Sequence, residues 1–516
     1  MGQEPTGIRG VHQSGAFKNW AERTEAPQAA RGARFLVPRR LAAMLLRLVD
    51  HRVAQRVVRT RLPFKFGVQV LREVPLAELK ITVETPDGTR GVGRAGDLLV
   101  PKWFEKNPDT TPEDDSAALA ASVEAAVGLA RELTAGAGPH PVFDIAEIAR
   151  IERVGRRTHA DADVLVRGFG VAMLERAMID AACRLAGVSF HAAITATGAS
   201  DLLAFSPKRV VPEVGDWSPG SLPAPSRSIA VRHTVGMLDP LTVAEIPDGE
   251  RVTDGLPQAL EEDIAAYGLT RFKVKIGGDL DGNRERLRAV ARVVLDRVGD
   301  AARFTLDGNE QCTDLDGLAG LLEDLARDPA TEPFVARLEL VEQPLPRRDT
   351  FESSNRRAIE RLSRIAPVII DEADTDRDAF RRAIDLGYAG VSVKACKGVF
   401  RAIANRGLVE TRATPSGVKP FQSGEDLTNL GSIPLQQDLC LQATLGVRDV
   451  ERNGHHYFRG LDHLPKDVAD DLVANLPELY ERDGDLRRLK ITDGTLDLAG
   501  LVDAPGFGGR LGSIEP

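Results

Sequence analysis

The chain has 516 residues, enough for about three domains of roughly 150 residues, or fewer if one is an α/β barrel of about 250. Hydrophobic residues make up 42% and charged residues 28%, which excludes a chain disordered throughout, and a formal net charge of −9 excludes general electrostatic recruitment of nucleic acid. No apolar run approaches the ~20 residues of a membrane-spanning helix, and no charged segment followed by an apolar one opens the chain. The expectation is a cytoplasmic protein with no membrane or nucleic-acid partner. Cys183, Cys312, Cys396 and Cys440 lack the close spacing of a zinc site and are expected to be reduced thiols.

Residues 1–62 form a basic extension. Arg23, Arg31, Arg34, Arg39, Arg40, Arg47, Arg52, Arg56, Arg59 and Arg61 stand among few acids, namely Glu4, Glu22, Glu25 and Asp50. Leu41, Met44, Leu45, Leu48, Val49 and Val53 recur at helical spacing, which predicts an amphipathic helix over 41–58. An Arg-rich, acid-poor start also resembles a transit sequence, but the reading adopted is a helix packed on its own protein or on a sister subunit of a homo-oligomer. Arg39-Arg40 lies too far inside the chain for an export signal.

Residues 63–200 read as an α+β domain. Leu79, Ile81 and Val83 alternate with Lys80 and Thr82, Asp87-Gly88 supplies a hairpin turn, and 91–96 begins the return strand. Helices are predicted over 117–133 and 171–185, the second ending at Gly187, where a left-handed cap fits. A Ser/Pro/Gly-rich linker over 201–228 separates this domain from the next.

From 229 to 465 strands and helices alternate. Strands are predicted at 229–235, 272–276, 303–307, 338–342, 368–371, 391–394, 421–425 and 450–457, with helices at 282–298, 315–327, 355–364 and 377–386. The repeat indicates an α/β fold, either a parallel barrel or a doubly wound sheet, and the placement of polar residues favours a (β/α) barrel of the TIM type. In Arg271-Phe-Lys-Val-Lys-Ile276, Lys273 and Lys275 share one face while Phe272, Val274 and Ile276 share the other. The apolar face belongs under helices, so both ammonium groups point into the barrel and need carboxylates there. Asp307, Glu342 and Asp371 each end a successive strand, and Lys394 ends the one after. A lone strand-end acid is usually a cap, and a lone lysine is usually solvated. An ordered series from Lys275 to Lys394, its members 23 to 35 residues apart, is far harder to obtain by chance. Three carboxylates converging at the C-terminal mouth of a barrel select a hard cation such as Mg²⁺.

The segments Phe272-Lys-Val-Lys-Ile276, Leu306-Asp-Gly-Asn309, Val341-Glu-Gln-Pro344, Ile370-Asp-Glu372 and Val393-Lys394 resemble the enolase superfamily, within it the mandelate racemase- and muconate lactonizing enzyme-like proteins. The resemblance implies a modified, enolase-like barrel with an N-terminal capping domain, and a C-terminal segment, 466–516, that returns to the cap. It implies Asp307, Glu342 and Asp371 as Mg²⁺ ligands, Lys275 and Lys394 as acid/base groups on opposite faces of the substrate, and Lys273 as an electrostatic aid. Burial and cationic neighbours are expected to depress a catalytic lysine. The lysine at Lys394 favours the lactonizing subgroup. Asn309, Glu372, Glu425, His455 and His456 are candidate substrate-binding residues, with Lys102 and Trp103 contributed by a cap loop; Glu425 and the two histidines fit no subgroup's pattern. The last predicted strand carries no Asp-x-Asp of the kind dipeptide epimerases use, so dipeptide epimerization is disfavoured.

The implied reaction is Mg²⁺-dependent abstraction of the proton α to a small-molecule carboxylate, giving an enediolate that is racemized or epimerized, cycloisomerized or eliminated. Enzymes of this superfamily are isomerases or lyases. Two alternatives remain: an aldolase-type barrel with Lys394 as Schiff-base nucleophile, and a non-catalytic scaffold with a vestigial site.

Overall fold

The computed structural model describes residues 43–67, 69–155, 163–198, 201–509 and 511–514. Most of the basic extension, including Arg39-Arg40, lies outside the described residues. The part that is described is not helical. Leu45–Phe66 forms a long strand, β1, so the predicted amphipathic helix is corrected. Leu46 and Leu48 are buried while Arg47 between them faces out and pairs with Glu84 across the ladder. Spacing of three and four among Leu41, Met44, Leu45 and Leu48 mimics a helix, but a partner strand of similar length and the β-branched Val49, Val53, Val57 and Val58 favour the extended state.

That partner is β2 (Gln69–Glu84), which turns through Asp87-Gly88 into β3 (Arg90–Leu98). With the short β4 (His140–Pro141) they make a sheet in the order β3-β2-β1-β4. Helix α1 (Pro112–Gly136) starts from a capping box in which Thr111 and Asp114 satisfy each other's backbone N–H. Helix α2 (Val142–Arg153) follows, and α3 (Val164–Ala186) ends at Gly187 with φ 65°. Buried Arg176 of α3 pairs with Asp97 of β3, joining helix to sheet.

The barrel comprises β5 (Ser228–Val235), β6 (Arg271–Lys275), β7 (Arg303–Asp307), β8 (Leu338–Glu342), β9 (Val368–Ile370), β10 (Gly390–Val393), β11 (Phe421–Gly424) and β12 (Asp449–Arg452). Neighbours pair in parallel, and β12 pairs with β5 to close the ring. The last strand is shorter than its predicted 450–457, because Gly454–Tyr457 is a helical turn. The principal helices are α4 (Leu260–Tyr267), α5 (Leu280–Val298), α6 (Leu315–Arg327), α7 (Arg356–Ser363), α8 (Ala379–Leu386), α9 (Val399–Thr411) and α10 (Ile433–Thr444). Outward residues supply the core beneath them: the Phe272 and Phe304 rings lie 6.1 Å apart, and Phe334 sits 4.6 Å from Phe304. Each such buried ring contributes about 1.5–3 kcal/mol. With the apolar side committed outward, the charged alternates of the same strands must point inward.

Beyond the barrel, β13 (Tyr480–Asp483) and β14 (Leu486–Leu489) form a hairpin, and β15 (Thr495–Asp497) pairs antiparallel with β5. The chain then reaches the cap: Gly506 N donates to Val188 O at 3.0 Å and Phe507 N to Asp180 at 2.9 Å. All four cysteines are buried and unbridged. Among the described residues no helix is long and apolar enough to cross a membrane.

Candidate active site

The strand ends bring the predicted charged residues together. Lys273 is wholly buried, its ammonium 3.0 Å from Asp307, 2.6 Å from Glu342, 2.6 Å from Glu425 and 2.9 Å from Glu451. Lys275, one alternation nearer the mouth, lies 2.6 Å from Asp307 and retains 7% exposure. This difference separates their capacities: the first is locked among acids, the second borders the opening.

Asp371 follows β9 and is oriented by Gln343, whose side-chain oxygen accepts from the Asp371 and Ala373 N–H groups at 2.8 and 3.1 Å. Lys394 lies 2.5 Å from Asp371 Oδ2, and Lys397 lies 3.1 Å from Oδ1. The Lys394 ammonium also stands 4.5 Å from the centre of the Trp103 ring, so a cap loop contributes directly to the site. That loop is held by Arg347, which donates to Trp103 O at 2.7 Å and Phe104 O at 3.0 Å while forking onto Glu310.

Electrostatics follow from burial and from who neighbours whom. Burial and the nearby Asp307 and Glu425 charges push Glu342 well above the usual carboxylate range. Burial opposes ionisation of Asp371 and Glu451, but Lys394 and Lys397 hold the first well below its ordinary range, and Lys273 and Lys275 hold the second there. The expected depression of the lysines is reversed for Lys273 and Lys394. Burial disfavours their charge, yet Asp307 and Glu342 around Lys273, and Asp371 and Glu342 around Lys394, hold both above an ordinary lysine.

The donor set suits a hard divalent cation. Although Lys273 is close, neither oxygen of buried Glu342 accepts a hydrogen bond among the described residues, and Asn309 Oδ1 and Glu372 Oε2 are likewise unpartnered. Asn309 Nδ2 donates to Glu372 at 3.2 Å, and burial with the nearby Asp371 charge pushes Glu372 up to about 7. Buried carboxylate oxygens short of hydrogen-bond donors and crowded by like charges are what oxygen-loving ions stabilise.

Other predicted residues fall elsewhere. Lys102 does not join the site: its ammonium bonds Asn107 O, Thr110 O and Thr110 Oγ1 at 2.6–2.8 Å and pairs with Asp115, bracing its own loop. Glu425 lies within the barrel but is fully buried and shared between Arg232 and Lys273, a supporting position and not a substrate-facing one. His455 and His456 are also corrected. The turn after β12 carries them to the outside of the barrel, against His233, Tyr267 and Asp263.

Three residues of the site escape the sequence reading. Glu451 of β12 accepts from Thr234 at 2.6 Å and sits 3.7 Å from Lys275; Arg232 of β5 bonds Asp449 at 2.6 Å; and Lys397 braces Asp371. The signal for Glu451 is the alternation Asp449-Val-Glu451-Arg, obscured when the strand is drawn through 457.

Comparison with known proteins agrees with this geometry. Residues 256–422, from just before α4 into β11, match the family described as enolase C-terminal domain-like. No curated protein sequence matches. Among solved structures, a dipeptide epimerase from Enterococcus faecalis V583, crystallised with Mg and L-Leu-L-Tyr, shares 14% identity, covering 90% of this chain and 99% of its own, with a TM-score of 0.55. A mandelate racemase/muconate lactonizing protein from Herpetosiphon aurantiacus shares 17% identity over 90% and 99%, with a TM-score of 0.54. Muconate lactonizing enzyme from Pseudomonas fluorescens, complexed with muconolactone, shares 15% over 90% and 96%, with a TM-score of 0.53. At such identities the likeness to the solved structures is one of fold. The family match covers residues 256–422, within the barrel, and the fold as a whole is similar to that of mandelate racemase/muconate lactonizing enzyme-like structures.

Proposed function

We propose that the protein is a Mg²⁺-dependent enzyme that removes the proton α to the carboxylate of a small-molecule acid and returns it to the opposite face. The observation that carries this reading is positional. Lys275 on β6 and Lys394 after β10 are four strands apart in a ring of eight, and therefore opposed, while Asp307, Glu342 and Asp371 end the three strands between them.

An α proton beside a carboxylate is very weakly acidic, so its removal needs the developing negative charge to be met by fixed positive charge. Mg²⁺ held by Asp307, Glu342 and Asp371 would supply such charge beside the substrate carboxylate. Lys273, locked in place beneath, adds another. Lys275 Nζ is the group that takes or gives a proton on one face, and Lys394 Nζ, charged beside Asp371 and over Trp103, is the one on the other. A lysine at the end of β10 supports the lactonizing-type pair. Cycloisomerization or elimination would begin with the same proton removal and differ in the product. The Schiff-base alternative is disfavoured because it leaves the carboxylates of Asp307, Glu342 and Asp371 converging with no cation to serve.

The test is hydrogen exchange in D₂O with a panel of hydroxy acids, acid sugars and N-acyl amino acids. Lys275→Ala and Lys394→Ala are each expected to abolish α deuteration on one face, and Glu342→Gln or EDTA to abolish it on both. Normal exchange by Lys275→Ala would refute the assignment of the base.

A further inference from the structure

On the outer side of the barrel seam, where β12 meets β5, a second group of ligating side chains gathers. Alternation along β5 sends Arg232 and Thr234 inward, to Glu425 and Glu451, and His233 outward beneath α4. Asp263 of α4 meets it there, and His455 arrives from the turn after β12. One donor atom from each of His233, Asp263 and His455 lies within 4.8 Å of the others. His233 Nδ1 is 3.1 Å from His455 Nε2, and His233 Nε2 is 3.8 Å from Asp263 Oδ2. We propose that His233, Asp263 and His455 form a second metal site, suited to a borderline transition ion such as Zn²⁺, which ties the first and last barrel strands together.

Donor chemistry distinguishes it from the barrel mouth. The mouth offers carboxylate oxygens, which suit Mg²⁺; two imidazoles and one carboxylate suit zinc-like ions. His233 and Asp263 are almost wholly buried, and Nδ1 of His455 has no hydrogen-bond partner among the described residues. Burial pushes His233 down to about 4 and His455 well below an ordinary histidine, so both present neutral nitrogens. Behind them His456 Nδ1 lies 3.0 Å from Asp263 Oδ2, an outer partner that orients the carboxylate. A narrow cavity lined by Tyr267, Asn429, Arg452, His455, Leu461 and Arg488 borders His455 on one side. The site would bear on the cap as well, since Arg61 of β1 donates to His456 O at 2.9 Å and Phe64 stacks 4.1 Å from Tyr457.

The test uses the full chain, stripped with chelator and titrated with Co²⁺. One equivalent is expected to give the visible absorption of nitrogen-ligated, four-coordinate cobalt, displaced by Zn²⁺ and not by excess Mg²⁺. The band is expected to persist in Asp307→Asn/Glu342→Gln and to weaken at least ~100-fold in apparent affinity in His455→Gln and His233→Asn. His455 is only half-buried, so His455→Gln remains informative if His233→Asn fails to fold. No band in the wild type, a band unaffected by His455→Gln, or one lost with the mouth variant would overturn the proposal and leave a histidine–aspartate packing network.

Discussion

Glu175 of α3 is buried where the cap meets the loop before α9. It accepts from the Phe400 backbone N–H, yet burial outweighs that bond and the Arg401 charge and pushes its carboxyl up to about 7. A carboxyl raised on folding binds a proton more tightly in the folded state. Its contribution is therefore fully present below its unfolded value, near 4.5, and is lost as pH rises through about 7. Glu175→Gln, which keeps the shape and never ionises, is expected to gain stability relative to the wild type between about pH 5 and 8, by up to about 3 kcal/mol. Urea denaturation of both proteins across that range measures it; a constant difference would contradict it. Among single residues, Lys273, Lys275, Asp307 and Glu342 were legible because each belongs to an alternation in its own strand. Which of them touch was not: Lys273 collects carboxylates from β7, β8 and β12 and from the residue after β11, spread over more than half the barrel.

Elements are set against one another by side-chain size as much as by pattern. Where α3 crosses β3, a Cβ on Gly93 would meet the Ala177 carbonyl oxygen at 2.0 Å and the Ala181 Cβ at 2.8 Å. Backbone cannot yield as a flexible side chain does, so Gly93→Ala is expected to cost about 1–3 kcal/mol or more by prising helix from sheet, read as a lowered urea midpoint. Gly136, where an added Cβ would have nothing within 4 Å, should tolerate the same change. Elements with one clear period, such as Leu315–Arg327 and Arg303–Asp307, are read correctly from sequence alone. The stretch from Leu45 is not, since leucines and valines there satisfy a helical spacing and a strand alternation at once, and only pairing with β2 decides.

Cap and barrel act as one body through a few arginines. Arg61 of β1 bonds Pro257 O and His456 O at 2.9 Å, and Arg347 spans from Glu310 to the loop carrying Trp103. Since Trp103 faces the Lys394 ammonium, the position of the cap loop bears on the proposed acid/base geometry. Arg347→Ala is expected to lower kcat/KM roughly 10²-fold by loosening that loop, with secondary structure intact by circular dichroism. Unchanged turnover would mean that the Trp103 contact is packing alone.

The order of residues was enough to dictate the alternating strands and helices, the charged inner face of β6 and the acids that end β7 and β8, because backbone periodicity and the need to bury apolar side chains are local. Packing in three dimensions was needed to make Leu45–Phe66 a strand, to turn Glu451 and Arg232 inward, to set Lys102 bracing a loop, and to put His455 and His456 outside the barrel. Each of these depends on a partner distant along the chain: a pairing strand, a closing seam or a neighbouring charge. Local spacing carries no record of such partners, and the free energy of burying a polar group depends on them entirely.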